Sequence, residues 1–502
     1  MYWRSSVSMT SAIASSLTSL PDDLLFVLMA NLDGPSIRSM ALTCRALYQI
    51  FQSAAIQYAY ELDLNCMEDA GSGRPPAELL KALRDRRTAW GELNWKSVKT
   101  VKAGPVLAAY ELVAGVFAQT DGFNFSVFQL PSTTCKGTCI TTPIDFRIRD
   151  FIIDVAQDLV IFLHEEVLPS GSRRGNLYCR TISTNQPHPA CSAASTLSFE
   201  VPQHPQYGNI IFVVELELAV DVLFLSMRQG HALRLLIWNW TMGVLIYDSL
   251  DQLSPFINDL DIVQRDVFIL TSYADSGKIL IYQFSPTVAC TPVLIATLSL
   301  PEMNGPRMLW FRVHSGQYQE RPTPGALFMP SPTARTHVLS AAYSSTQVGG
   351  WYTLFVQSST FLRYVDRGDE GQEVSWKEWG EEDSRFMARR IGGNWLRYVH
   401  GNRVVCNSLD KIGIDVLNFS SFTCNTDSSA SGSRERQCFS RGNPTVISKD
   451  VKIFEDDVIT RLPYQIASHE MEKTPFAYMI DEERIIGLQF GSDTVELTIY
   501  SF

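Results

Sequence analysis

The sequence predicts a multidomain protein, with a small N-terminal all-α module of short helices followed by an all-β propeller of about seven blades. Three observations lead there. A leucine-spaced helical stretch opens at Leu20. From about Val101, short apolar runs bounded by Asp, Gly, Asn, Ser and Pro replace the helical period and persist to the C-terminus. Two of these runs, starting at Val222 and Val267, stand 45 residues apart, the step of one four-stranded blade. At 502 residues the chain also exceeds a single core, which stops growing near about 250–300 residues.

Residues 1–17 are Ser-rich, with Arg4 and no continuous apolar run, and read as a disordered lead. The module follows over 18–60. Pro21 suits the first turn of a helix, where a missing N–H costs nothing, and Asp22 and Asp23 put negative charge at the positive end of the helix dipole. Leu24, Leu28 and Leu32 recur every four residues with Leu25 and Met29 beside them, so one wide face is apolar. Asp33-Gly34-Pro35 ends that helix and starts a second carrying Ile37, Met40 and Ala41. Thr43 reads as the cap of a third, with Cys44, Leu47, Ile50, Phe51 and Ala54. About 40 residues of such helices cannot hide their apolar surface among themselves. They are built to pack against something else.

This segment resembles the F-box motif, the adaptor-binding module of cullin-based ubiquitin ligase substrate receptors. The resemblance is carried by Leu20-Pro21, Leu24-Leu25, Leu28, Leu32, Pro35, Ile37 and the Thr43-Cys44-Arg45 run. Leu28-Met29 replaces the family's Ile-Phe pair, and Leu47-Tyr48 stands where a Trp is common; both keep apolar bulk. The resemblance implies that Leu20, Pro21, Leu24, Leu25, Leu28, Leu32, Pro35, Ile37, Cys44, Leu47 and Tyr48 contact a Skp-family adaptor and, through it, a cullin.

Residues 61–100 read as a flexible break around Gly71-Ser72-Gly73-Arg74-Pro75-Pro76, then a docking helix from Ala77 to Trp90. Leu79, Leu80, Leu83 and Trp90 share its apolar face. From 101 to 502 strand pairs recur. Leu159–Leu163 precedes Leu177–Ile182, Val222–Leu225 precedes Leu233–Trp240, and Val267–Leu270 precedes Lys278–Phe284. Leu236–Gly243, with its Trp-Asn-Trp run and closing Gly243, resembles the end of a WD-type blade strand. Pro187 to Pro205 reads as a long loop, Trp376–Gly380 as a strand–turn piece, residues 425–435 as a flexible loop, and Glu496–Phe502 as the strand that closes the ring. A two-sheet sandwich is the rival fold. The whole arrangement resembles large F-box families of mushroom-forming fungi.

Composition narrows the function. A formal charge of −11 and no basic run exclude nonspecific nucleic-acid binding. The most apolar stretch, 210–227, is broken by Glu215, Glu217 and Asp221 and is no membrane span. Ten scattered cysteines form no CxxC pair, so reduced thiols and no metal site are expected. Eight dispersed histidines, and no phosphate loop, GxSxG or HExxH motif, point away from catalysis and from any cofactor. Glu378, Glu381, Glu382 and Asp383 read as a solvated loop, and Trp238 and Trp240 as blade core. The resemblance implies a non-catalytic receptor in the cytoplasm or nucleus, whose propeller recruits a protein substrate for ubiquitination. The alternatives are a propeller scaffold acting without cullin and a small-molecule enzyme on the same fold.

Overall fold

The computed structural model describes residues 17, 20–104, 108–132, 136–191, 196–201, 208, 213–229, 232–250, 252–344, 350–368, 370–391, 397–409, 411–420, 434–491 and 494–502. The expected disordered lead, Leu17 excepted, and most of the loop expected at 425–435 lie outside them. The chain forms two compact units, one from residues up to 65 with 73–85, the other from 66–72 with 86–502.

The first unit is helical. Helix α1 (Asp22–Ala30) starts after Pro21, which caps it rather than occupying its first turn. In α2 (Gly34–Ala41) the Asp33 carboxylate accepts the Ser36 N–H at 2.8 Å, satisfying one of the donors a helix start leaves open. Cys44, not Thr43, precedes α3 (Arg45–Phe51); the Thr43 hydroxyl instead donates back to the Met40 carbonyl at 2.7 Å. A fourth helix, α4 (Ala54–Leu64), is capped by Ser53. Leu25, Met29, Ile37, Ala41, Leu47 and Ile56 make the small core. Gly34 sits so close to Asp63 that a Cβ there would lie 2.5 Å from its carboxylate, and its N–H donates to that carboxylate at 3.0 Å. Helix α5 (Pro76–Gly91) belongs to both units, Arg86 onward to the second.

Among the described residues the second unit holds seven sheets of four or five strands, the blades of a propeller, antiparallel except where Gln372–Val374 joins blade 4 in parallel. Blade 1 spans Ala109–Pro143, blade 2 Asp150–Val201, blade 3 Val213–Asp248 and blade 4 Ile257–Ser299. Blade 5 spans Met308–Met387, blade 6 Val399–Glu470, and blade 7 takes Ala477–Ile480, Arg484–Phe490 and Val495–Ser501. The outermost strand of blade 7 is Ser97–Lys102, running antiparallel to Val495–Ser501 with Ser97 opposite Ser501. The last sheet is therefore shared between the two ends of the domain, which closes the ring. Val222 and Val267 each start the second strand of their blades, so the 45-residue step is one blade.

Why these residues make blades is plain in the second strands. Phe162, Phe224 and Phe268 are buried in the second strands of blades 2 to 4, and Phe355 in the third strand of blade 5. A strand buried on both faces reads as an unbroken apolar run, as Val267–Leu270 does within Val267–Ser272. Trp238 and Trp240 are buried, and Gly243 takes the left-handed φ of +70° that the next turn requires. The preceding turn, Val220-Asp221, puts a β-branched residue at φ +59°. That conformation costs on the order of 1–3 kcal/mol and must be held by its surroundings. The Val220 carbonyl accepts the Trp240 Nε1–H and the Gln157 amide, each at 2.9 Å. Asp221 takes Arg265 in a two-pronged pair at 2.6 Å and Asn239 at 2.9 Å.

Four expectations change. Trp376–Gly380 is helical, within α7 (Trp376–Asp383), and α6 (Ser358–Arg367) precedes it; both are inserted in blade 5. The Glu378 carboxylate accepts the Ser375 N–H and hydroxyl at 2.8 Å, a helix-start signature. The Pro-rich stretch after Pro187 contains a strand, Thr196–Val201, which completes blade 2. Within 61–76, Met67–Asp69 pairs with Phe328–Pro330. Cys438 is disulfide-bonded, whereas Cys44, Cys66, Cys139, Cys179, Cys191, Cys290 and Cys406 are free thiols; sequence spacing alone does not reveal which thiols meet.

Candidate functional site

The helical unit sorts its leucines by what they touch. Leu25, Ile37 and Leu47 are buried and hold the helices together; Leu20 and Cys44 are partly covered. Pro21 and Pro35 are exposed, and so are Leu24, Leu28, Leu32 and Tyr48 at 39–51%. The site residues taken together from sequence thus divide into a scaffold and a wet apolar set. Three members of the wet set escaped sequence reading: Leu17, 49% exposed, Val27, 54% exposed, and Leu42, 72% exposed. Val27 sits on α1 between Leu24 and Leu28, one residue off the four-residue repeat that drew attention. Each such side chain gains about 1.5–3 kcal/mol when fully buried, so together they can outweigh the cost of association.

The second candidate is a cavity of about 470 Å³ lined chiefly by the innermost strands of the blades. Blade 1 contributes Tyr110 and Glu111, blade 2 Asp150 and Phe151, blade 3 Glu215 and Glu217, and blade 4 Asp259. Blade 5 and the segment after it bring Trp310, Arg312, His314, Trp351, Arg390, Arg397 and Tyr398. Arg397 forms a buried two-pronged pair with Glu111, Nη2 to Oε2 at 2.5 Å. Arg390 lies 4.5 Å over the Trp351 ring, which meets Trp310 edge-on at 4.8 Å. Burial pushes the Asp150 carboxyl up to about 7, with Glu111 and Glu215 adding repulsion. Burial likewise holds Glu217 and Asp259 well above the carboxylate range, aided by Asp261 and Glu215 respectively. His314 is driven down to about 4 by burial and by Arg397, so it is neutral at pH 7.

A third cluster has the connectivity of a hydrolase triad. His337 Nδ1 lies 2.8 Å from Asp261 Oδ2, and Nε2 lies 2.9 Å from the Ser358 hydroxyl. Burial would raise Asp261, but His337, Arg335 and Ser315 outweigh it and hold the carboxylate below its usual range. Burial lowers His337, so the neutral ring donates to Asp261 and accepts from Ser358. All three side chains are sealed from solvent, and Phe361 packs edge-on against the imidazole at 5.2 Å. No substrate can reach the hydroxyl. The cluster ties blade 4 to blade 5 and to the start of α6.

Other features singled out from sequence prove structural. Glu382 pairs with Arg441 and Arg461, and Asp383 with Arg363, so the acidic run is engaged at home. His164 Nδ1 lies 2.9 Å from the Arg147 carbonyl, and Glu165 bridges Arg149 and Arg173. Among the described residues no group of three or more His, Cys, Asp or Glu is placed to hold a metal ion. No described helix is long and apolar enough to cross a membrane.

Residues 17–56 match the family model of the F-box domain. No curated protein matches the chain. Among solved structures it is similar to the WD40 β-propeller domain of Doa1, at 11% identity and a TM-score of 0.31, over 80% of this chain and 96% of that one. It is also similar to the Dos1 propeller, at 10% identity and a TM-score of 0.34, over 79% of this chain and 78% of that one.

Proposed function

We propose that this chain, an F-box domain joined to a seven-bladed propeller, is the substrate receptor of a cullin-based ubiquitin ligase. The helices dock on a Skp-family adaptor, the adaptor joins a cullin, and the propeller presents a protein substrate to the conjugating enzyme held there. The chain itself needs no catalytic group for that task, and it works in the cytoplasm or nucleus. One observation carries the reading. Within the residues that match the F-box, Leu24, Val27, Leu28, Leu32, Leu42 and Tyr48 all stand in water while Leu25, Ile37 and Leu47 complete the internal core. A surface of that size, in a unit of that size, is an unfinished interface.

The test is co-purification with a Skp-family adaptor. Leu24→Asp combined with Leu28→Asp puts two charges on the proposed interface without touching the core. Adaptor binding falls by roughly a hundredfold, about 2.7 kcal/mol, while the melting temperature stays unchanged. Retained binding in that double variant sinks the proposal.

A further inference from the structure

The cavity at the centre of the propeller carries more carboxyls than its arginines answer. Among the described residues Asp150, Glu215, Glu217 and Asp259 form no ion pair, although all four line the same space. Three arginines line it against five carboxyls, and Arg312 acts on Asp259 without forming an ion pair among the described residues. Arg397 is bound to Glu111 by both prongs, and Arg390 rests on Trp351. A second observation is a hydroxyl, not a carboxyl. Tyr398, only 7% exposed, lines the cavity, and burial and nearby acids act on its hydroxyl without any hydrogen bond among the described residues. A hydroxyl that opens onto the cavity without a protein partner is free to meet a polar guest.

We propose that this cavity receives a cationic side chain, the guanidinium of arginine or the ammonium of lysine, presented by the protein the propeller recruits. The proposal rests on the receptor reading above and names the chemistry of its substrate. A cation entering between Asp150 and Glu215 supplies the missing counter-charge, and the Tyr398 hydroxyl accepts one of its N–H groups. Trp310 and Trp351 offer ring faces to its alkyl stem or its plane, a role Trp351 already plays for Arg390. Burial first, and repulsion among the carboxyls after it, raises Asp150, Glu217 and Asp259, and an entering cation offsets both. A phosphorylated or acidic segment would meet these carboxyls with repulsion and is disfavoured.

The experiment presents the full chain, bound to its adaptor where one binds, to an array of short random peptides. The peptides retained are expected to share an arginine or lysine. Changing that residue to citrulline or acetyl-lysine should weaken binding by roughly tenfold or more. Asp150→Asn with Glu215→Gln, which leaves the F-box untouched, should produce a similar loss. Selection of acidic or phosphorylated peptides overturns the proposal, and so does undiminished binding by the double variant. Binding of free spermidine with no peptide retained also overturns it, because the occupant would then be a small polyamine. An array that selects nothing counts against it equally. Adaptor co-purification is read separately: adaptor bound with no cationic selection removes this inference alone, and cationic selection without adaptor removes the receptor reading alone.

Discussion

Nine non-glycine residues carry a left-handed φ among the described residues, and all nine lie in the propeller unit. The helical unit has none, yet among its described residues seven large apolar side chains stand in water. The two units thus depart from ideal structure in opposite ways. The propeller has interior to spare and spends some of it holding strained turns in place, as Trp240 and Gln157 do for Val220. The helical unit is too small to hold strain and is regular throughout, but it lacks the interior to cover its own surface. Size decides which imperfection a unit can tolerate. A large ring can be self-sufficient and locally strained; a four-helix fragment is relaxed and incomplete.

That contrast can be broken at several points. The largest effect is expected from Trp240→Ala, which removes a fully buried ring and the donor that pins Val220. It should cost about 3–5 kcal/mol in denaturant unfolding of the propeller, and a loss below about 1 kcal/mol would show that the turn is not held as described. Leu25→Asp sharpens the other side. A charge in the small core should abolish both the helical signal of residues 20–65 and adaptor binding, at a cost of a few kcal/mol. The exposed Leu24 and Leu28 substitutions should abolish binding alone; if both sets behave alike, the division into scaffold and wet face is wrong.

Asp150→Asn has a smaller, pH-dependent effect. The folded carboxyl titrates near about 7 whereas an unfolded one titrates near 3.8, so the folded state holds its proton over that window. Wild-type stability from this group is therefore lost as pH rises from about 4 to about 7. Relative to wild type, the asparagine variant should melt a few degrees higher at pH 8, with the gap closing by pH 4, as scanning calorimetry would show. A gap that is flat with pH would show that burial and its acidic neighbours do not raise this carboxyl. The smallest effect is Val220→Gly, which frees the strained turn and should raise stability by about 1 kcal/mol. A decrease would mean that the valine's packing outweighs its backbone cost.

Much of this architecture was legible. The blade period could be read because second strands are buried on both faces and stand out as unbroken apolar runs, Val222–Leu225 and Val267–Leu270 among them. Helix α7 was missed because its tryptophans drew a strand reading, although Ser375 and Glu378 stand at the spacing of a helix start. The closing strand Ser97–Lys102 was invisible, since an outer strand facing water has no apolar run to show. Which leucines of the first unit face out could not be told from a four-residue repeat, because a small bundle buries one flank of each helix and the repeat marks both. The cavity's carboxyls were read only as breaks in an apolar stretch, at Glu215 and Glu217. Their meaning depends on blades meeting at the centre, and no single stretch of sequence records that.

The shared last blade has a consequence in time. Ser97–Lys102 leaves the ribosome roughly 400 residues before Val495–Ser501, its partner. At roughly 5–20 residues per second, the strand waits on the order of 20–80 seconds without its ladder partner. Its sequence suits that wait. Lys99 and Lys102, with Lys96 just before them, put charge along an edge that a neighbouring nascent chain could otherwise join. Six residues that look like a polar linker are, during synthesis, a strand protected from every partner but one that has not yet been made.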